Sequence, residues 1–250
     1  MGIEGQNDWQ AAAASALAWW GEAGVDSLVD EGPRDWLAPV VAPPRPVPSV
    51  AAAPAEADAL PGNLDAFLAW RGGGGVPEAS WPGGWVTATG PADAAVMVLV
   101  DCPDRGDDCD GLLSGPSGRL FERMLAAIGL SRDTVHLATV CAKRPTAGRT
   151  PTEVQARLAA IAAHHVALVA PRRLLLLGNA ASRALLGMDT RDARGILHAV
   201  NPNPGQKASG DGAGGGAGMV ASYHPRFLLE KPAAKAAAWA DLQVLIKGLS

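Results

Sequence analysis

Val96-Met97-Val98-Leu99-Val100, followed at once by Asp101-Cys102-Pro103-Asp104-Arg105-Gly106-Asp107-Asp108-Cys109-Asp110, is the stretch on which the fold turns. Five apolar residues in a row, with no polar alternation, read as a strand buried on both faces. The same reading recurs at Thr134–Val140, Leu174–Leu177 and Met219–Ser222. Helices are expected over Asn63–Trp70, Ser117–Leu130, Glu153–Ala170, Ala180–Leu186 and Ala233–Leu249. Continuous apolar strands alternating with helices predict an α/β fold, three-layer αβα, around a central four-stranded, mainly parallel sheet. Ligands of such sheets collect at the carboxyl ends of the strands, so the segments after Val100, Val140, Leu177 and Ser222 carry the candidate chemistry.

Upstream of this pattern the composition changes. Of 250 residues, 49 are Ala, 30 Gly and 20 Pro, so the 48% hydrophobic content is largely small side chains. Prolines 39, 43, 44, 46, 48 and 54 interrupt any regular structure between Ala38 and Ala59. The chain therefore divides into a helical appendage (1–37), a Pro/Ala-rich linker (38–61) and a main domain (62–250). A helix from Asn7 or Asp8 to about Gly24 displays Leu17, Trp19 and Trp20, which suits docking on another protein; a fraying helix is the alternative. Residues 1–60 hold 2 basic and 9 acidic side chains, whereas 61–250 hold 19 and 16, a weak basic excess that could meet a phosphate backbone. No run approaches the ~20 apolar residues of a membrane span, and Met1-Gly2-Ile3-Glu4 has neither a basic leader nor a lipidation signal. A monomer in the cytoplasm is expected. Cys102, Cys109 and Cys141 are too few for a disulfide framework. The Gly205–Gly218 tract reads as a mobile loop.

Several strand-end segments carry chemistry-bearing side chains. Five aspartates in ten residues after the first strand could organise a water or a cation, or could simply be solvated; they lack the histidines or the spacing of a metal site. Gly115-Pro116-Ser117-Gly118 opens a helix whose free amides suit an anion or a base edge. Thr139-Val140-Cys141-Ala142-Lys143-Arg144-Pro145, with Arg149, places three cations near a strand end, where phosphate contacts and a plain basic surface are both open readings. The sharpest feature is Ser222-Tyr223-His224-Pro225-Arg226-Phe227-Leu228-Leu229: a histidine just past a strand, restricted by the next proline, before an apolar-basic step expected to be exposed.

In order and spacing these segments resemble the uracil-DNA glycosylase superfamily, most closely its bacterial family 4 type, from about Leu64 to Leu249. The resemblance rests on Asp101-Cys102-Pro103-Asp104, Gly115-Pro116-Ser117-Gly118, Lys143-Arg144-Pro145, Leu177-Gly178 with Leu185-Leu186-Gly187, and Tyr223-His224-Pro225 with Trp239, Asp241 and Leu242. It implies a DNA glycosylase that flips a base out of the duplex and hydrolyses its N-glycosidic bond. His224 would donate to the departing uracil, and Asp101 or Asp107 would position water. Cys102, Leu113 and Thr139 would line the base pocket. Lys143, Arg144, Arg149, Pro225, Arg226, Phe227, Leu228, Gly115 and Ser117 would contact DNA, with Phe227 and Leu228 as the wedge.

The sequence departs from the family pattern in three places. Family 4 relatives hold a [4Fe-4S] cluster on four cysteines; here glycine-rich sequence replaces the early pair within Trp70–Ser80, Lys143 takes the third place, and the helix after Glu153 has none. No metal or cluster is expected. Thr139 stands where relatives carry Asn or another polar residue, and Leu113 stands near the position of the stacking aromatic. A catalytically decayed DNA-binding module on the same scaffold, recruited to a repair partner, is therefore the second reading. Neither a Walker or dinucleotide fingerprint nor a GxSxG elbow is present.

Overall fold

The apolar runs form strands because β-branched and Leu side chains fill both sides of a sheet that helices cover. The computed structural model describes residues 8–22, 60–107, 111–146, 150–199 and 218–249. By backbone contacts the chain forms two units, 1–55 and 56–250. In the first, α1 (Asp8–Glu22) is the described element, with Leu17, Trp19 and Trp20 exposed. The proline-rich segment through residue 59 and the glycine tract through residue 217 lie outside the described residues, as do Cys109 and Arg149.

The second unit runs α2 (Leu64–Arg71), β1 (Val96–Val100), α3 (Gly115–Ala127), β2 (Val135–Thr139), α4 (Thr152–Val169), β3 (Arg173–Leu177), α5 (Asn179–Leu186), α6 (Thr190–Ala193), β4 (His198–Ala199), β5 (Gly218–Ser222), α7 (Pro225–Glu230) and α8 (Lys235–Ile246). The sheet order is β2-β1-β3-β5-β4. The first four strands are parallel and in simple register, Val96 beside Val135 and Arg173, and Arg173 beside Gly218. Side chains alternate across it. Val96, Val98 and Val100 meet Phe121 and Leu125 of α3 and Leu242 and Leu245 of α8; Met97 and Leu99 meet Leu158, Ala162 and Val166 of α4 and Ala181 of α5. That gives three layers with a core on each face.

Two expectations are corrected. The sheet has five strands, not four, because His198–Ala199 pairs antiparallel with Gly218–Met219 at the edge. Two residues are too few to give a periodic signal, and backbone pairing alone defines them. The segment after His224 is a helical turn rather than an exposed step: Pro225 supplies the fixed φ that opens it. It turns Leu228 into the core while Phe227 and Leu229 stay exposed.

The chain passes from β1 outward to β2, then crosses to β3 on the other side of β1. The crevice between the ends of β1 and β3 is thus the sheet's switch point. No described helix is long and apolar enough to cross a membrane.

Candidate active site at the carboxyl ends of the strands

Asp101 sits at the switch point. Its carboxylate accepts the Ala181 amide at 2.7 Å, so it caps α5 from across the sheet. Gly178, at φ +105, makes this approach possible: any Cβ there would collide with the Asp101 carboxylate. Burial raises the Asp101 pKa to about 6, against the amides of residues 179–181 and the charge of Arg226, which favour the ionised form.

Asp107 is used differently. Its two oxygens accept the amides of Asp104 (2.8 Å), Leu113 (2.9 Å) and Ser114 (2.7 Å) and the Ser114 hydroxyl (2.7 Å). One carboxylate thus closes the loop from 104 to 114. Leu113, at φ +53, is held in the left-handed region by that bond and by Arg132, which donates to the carbonyls of Leu112 (2.9 Å) and Leu113 (2.5 Å). Gly118 leaves the space the Leu113 carbonyl occupies. The Leu113 side chain is buried in the α3 core. Beside it, Leu112, Ser114, Gly115, Gly118, Arg119, Glu122 and Arg132 line an open cleft of about 280 Å³. Ser117 is buried within the first turn of α3.

His224 follows β5 and is 6% exposed. It is the N-cap of α7, and its Nδ1 accepts the Arg226 amide at 3.1 Å. A neutral imidazole whose Nδ1 accepts must carry its proton on Nε2. Burial lowers the His224 pKa to about 4, overriding the nearby Asp104 and Asp107 carboxylates, which favour the cation. At neutral pH the ring is an uncharged Nε2–H donor. Arg226 forms an ion pair with Asp104, and Arg144 donates to the Pro103 carbonyl at 2.9 Å, so both guanidiniums fasten the loop after β1 near His224. Phe227 is 39% exposed and stacks at 4.9 Å on Tyr223.

The remaining expected site residues turn toward the protein. The Thr139 hydroxyl donates to the Cys141 carbonyl at 2.9 Å. Lys143 donates to the carbonyls of Ala79 and Trp81, both at 3.0 Å, and lies 4.6 Å from the Trp85 ring centre. Next to it, fully buried Glu78 pairs with Arg71 and accepts the Ala142 amide at 2.9 Å, while Arg71 donates to the Val140 carbonyl at 2.6 Å. These contacts join the 71–85 segment to the end of β2. Sequence reasoning passed over Arg71, Glu78 and Arg132, because each acts on backbone far away in the chain and no local pattern marks it.

Burial pushes the Cys102 thiol up to about 11 and Cys141 up to about 12, so both are protonated at neutral pH. Among the described residues no group of three or more His, Cys, Asp or Glu side chains is arranged to hold a metal ion.

The mainly parallel sheet between two helical layers agrees with comparison to known proteins. A type-4 uracil-DNA glycosylase of Pyrobaculum aerophilum is 28% identical over 166 residues, 65% of this chain and 82% of the relative. One of Archaeoglobus fulgidus is 25% identical over 150 residues, 59% and 73% of the two chains. The family profile described as the Uracil DNA glycosylase superfamily matches residues 87–243, which takes in every parallel strand, Asp101 and His224; the chain belongs to that superfamily.

Proposed function

We propose that this chain is a monofunctional DNA glycosylase that removes uracil or another deaminated base from DNA. The observation that carries this reading is His224: a buried, neutral imidazole with Nδ1 committed to the Arg226 amide, leaving Nε2–H as its only donor. Breaking the C1′–N1 bond sends the bonding electrons onto the uracil ring. A fixed neutral donor at the ring's oxygen stabilises that charge by about 3 kcal/mol. Water bonds to C1′ and gives its proton to the Asp101 carboxylate and from there to solvent. The same ionised carboxylate favours the positive sugar. Arg226 and Arg144, beside His224, would supply phosphate contacts, and Phe227 is an exposed ring suited to fill the vacated stack. Leu228, packed inward, does not share that role.

The family 4 cluster does not fit these residues. The chain has three cysteines where four thiolates are required, and the place of one ligand holds an ammonium bound to two carbonyls. No step is routed through iron.

The decayed DNA-binding module has one observation in its favour: Thr139 spends its hydroxyl proton on the Cys141 carbonyl and offers a base edge only a lone pair. Labelled oligonucleotides bearing uracil, hypoxanthine or xanthine, treated with protein and then alkali, decide between the two. Strand scission is expected on at least one, falling about 100-fold or more in His224→Ala. Salt-sensitive DNA binding with no scission of any substrate would establish the second reading instead.

A further inference from the structure

Behind His224 lies a network that touches no reacting atom. Asp241 of α8 is fully buried and accepts the Ser222 hydroxyl at 2.7 Å. It also receives Arg194 at both oxygens, from Nε at 3.2 Å and from the guanidinium NH2 at 3.0 Å, and Arg194 further donates to the Ala237 carbonyl at 2.6 Å. The planar guanidinium so fixed lies 5.2 Å from the centre of the Tyr223 ring, whose neighbour at 4.9 Å is Phe227. The two residues preceding His224 are therefore held by one buried carboxylate: Ser222 directly, Tyr223 through Arg194. The residues following it are held by the His224 ring, which caps α7.

We propose that Arg194 and Asp241 are positioning residues for His224, and that the Arg194–Tyr223–Phe227 stack fixes the direction of its Nε2–H. This rests on the glycosylase reading for its effect on rate, but not for its effect on the ring. The physical argument is one of tolerance. A hydrogen-bond donor aimed at developing charge must be right to within a fraction of an ångström, and misplacement by about 1 Å can cost 100-fold in rate. The backbone of His224 has no strand pairing of its own, because β5 ends at Ser222. Its placement is inherited from the residues on either side. A guanidinium that pairs with a carboxylate through two nitrogens while its carbon lies over an aromatic ring is a geometry lysine does not reproduce.

The test uses the full chain in three variants. Arg194→Lys keeps the positive charge beside Asp241 and loses the two-point pairing that holds the guanidinium over the Tyr223 ring. Tyr223→Leu keeps an apolar side chain and loses the ring, and Tyr223→Phe restores the ring without its hydroxyl. The first readout is the imidazole 15N–1H spectrum of His224 near pH 7, which needs no substrate. The wild type is expected as the Nε2–H tautomer alone, Arg194→Lys and Tyr223→Leu as a mixture of both tautomers, and Tyr223→Phe as wild type. The second is single-turnover excision at saturating DNA. Arg194→Lys and Tyr223→Leu are expected to be about 10- to 100-fold slower with DNA affinity within about twofold of wild type, and Tyr223→Phe to recover most of the loss. A single unchanged tautomer in the folded Arg194→Lys and Tyr223→Leu proteins overturns the proposal, as does rate loss that follows DNA affinity alone. If the wild type excises no base, the glycosylase reading fails, and the spectra still decide whether the network orients the ring.

Discussion

A histidine whose pKa is pushed to about 4 cannot be a general acid at pH 7, so the chemistry His224 offers is donation without proton transfer. Burial brings Asp101 into the working range. Its pKa of about 6 makes it ionised at neutral pH, and excision is expected to rise with pH through about 6 and then level off. Asp101→Asn is expected to be slower and to lack that limb, as measured by single-turnover rates between pH 5 and 8. The sign for stability is the opposite: a carboxyl raised above its ordinary 3.8 stabilises the fold below that value and loses the contribution as pH climbs through about 6. Activity and stability thus respond to this one proton in opposite directions. That Asp101 and His224 stand at the carboxyl edge of the sheet was legible in the sequence, because each closely follows an apolar run read as a parallel strand. Their partners were not. Arg226 meets Asp104 across 122 residues of chain, and Lys143, which reads as a phosphate ligand, finds two carbonyls 62 and 64 residues upstream.

Among the elements, the four parallel strands fall within a residue or so of where the apolar runs put them, since short apolar runs bounded by polar or turn residues fit a strand covered on both faces. The short elements escaped. α6 spans four residues and β4 two, lengths at which backbone hydrogen bonds, not side-chain period, define the element. The turn between β3 and α5 was legible as a glycine but not as a steric necessity. Gly178 stands at φ +105 with the Asp101 carboxylate against its Cα. Gly178→Ala is expected to destabilise the fold by about 3 kcal/mol, read from urea unfolding, because left-handed strain and displacement of Asp101 add. Gly→Ala at position 111, also at positive φ but with open space around its Cβ, isolates the strain alone and should cost less.

On the scale of the whole molecule, charge is distributed unevenly along the chain. Residues 1–60 carry a net −7 and residues 61–250 a net +3, so the amino-terminal stretch opposes DNA that the rest of the chain would weakly attract. A chain beginning at residue 60 is expected to melt at the same temperature as the full protein and to bind DNA more tightly at low salt, the difference vanishing as salt is raised; melting curves and titrations at two salt concentrations check both. The three-layer architecture was readable because composition concentrates Leu, Val and Ile where the layers must be. The polar fastenings that replace bulk elsewhere, Arg71 with Glu78 and Arg194 with Asp241, were not: Asp241 stands in a segment the sequence marks, but nothing local names the partner of any of these charges. One of the smallest elements has the largest consequence. α7 is six residues, far below the length at which a helix persists unaided, and it stands on the His224 cap and the packing of Pro225 and Leu228. Gentle warming is therefore expected to fray this turn before the sheet loosens, so that whatever depends on the set of the His224 ring is lost while the bulk of the protein is still folded.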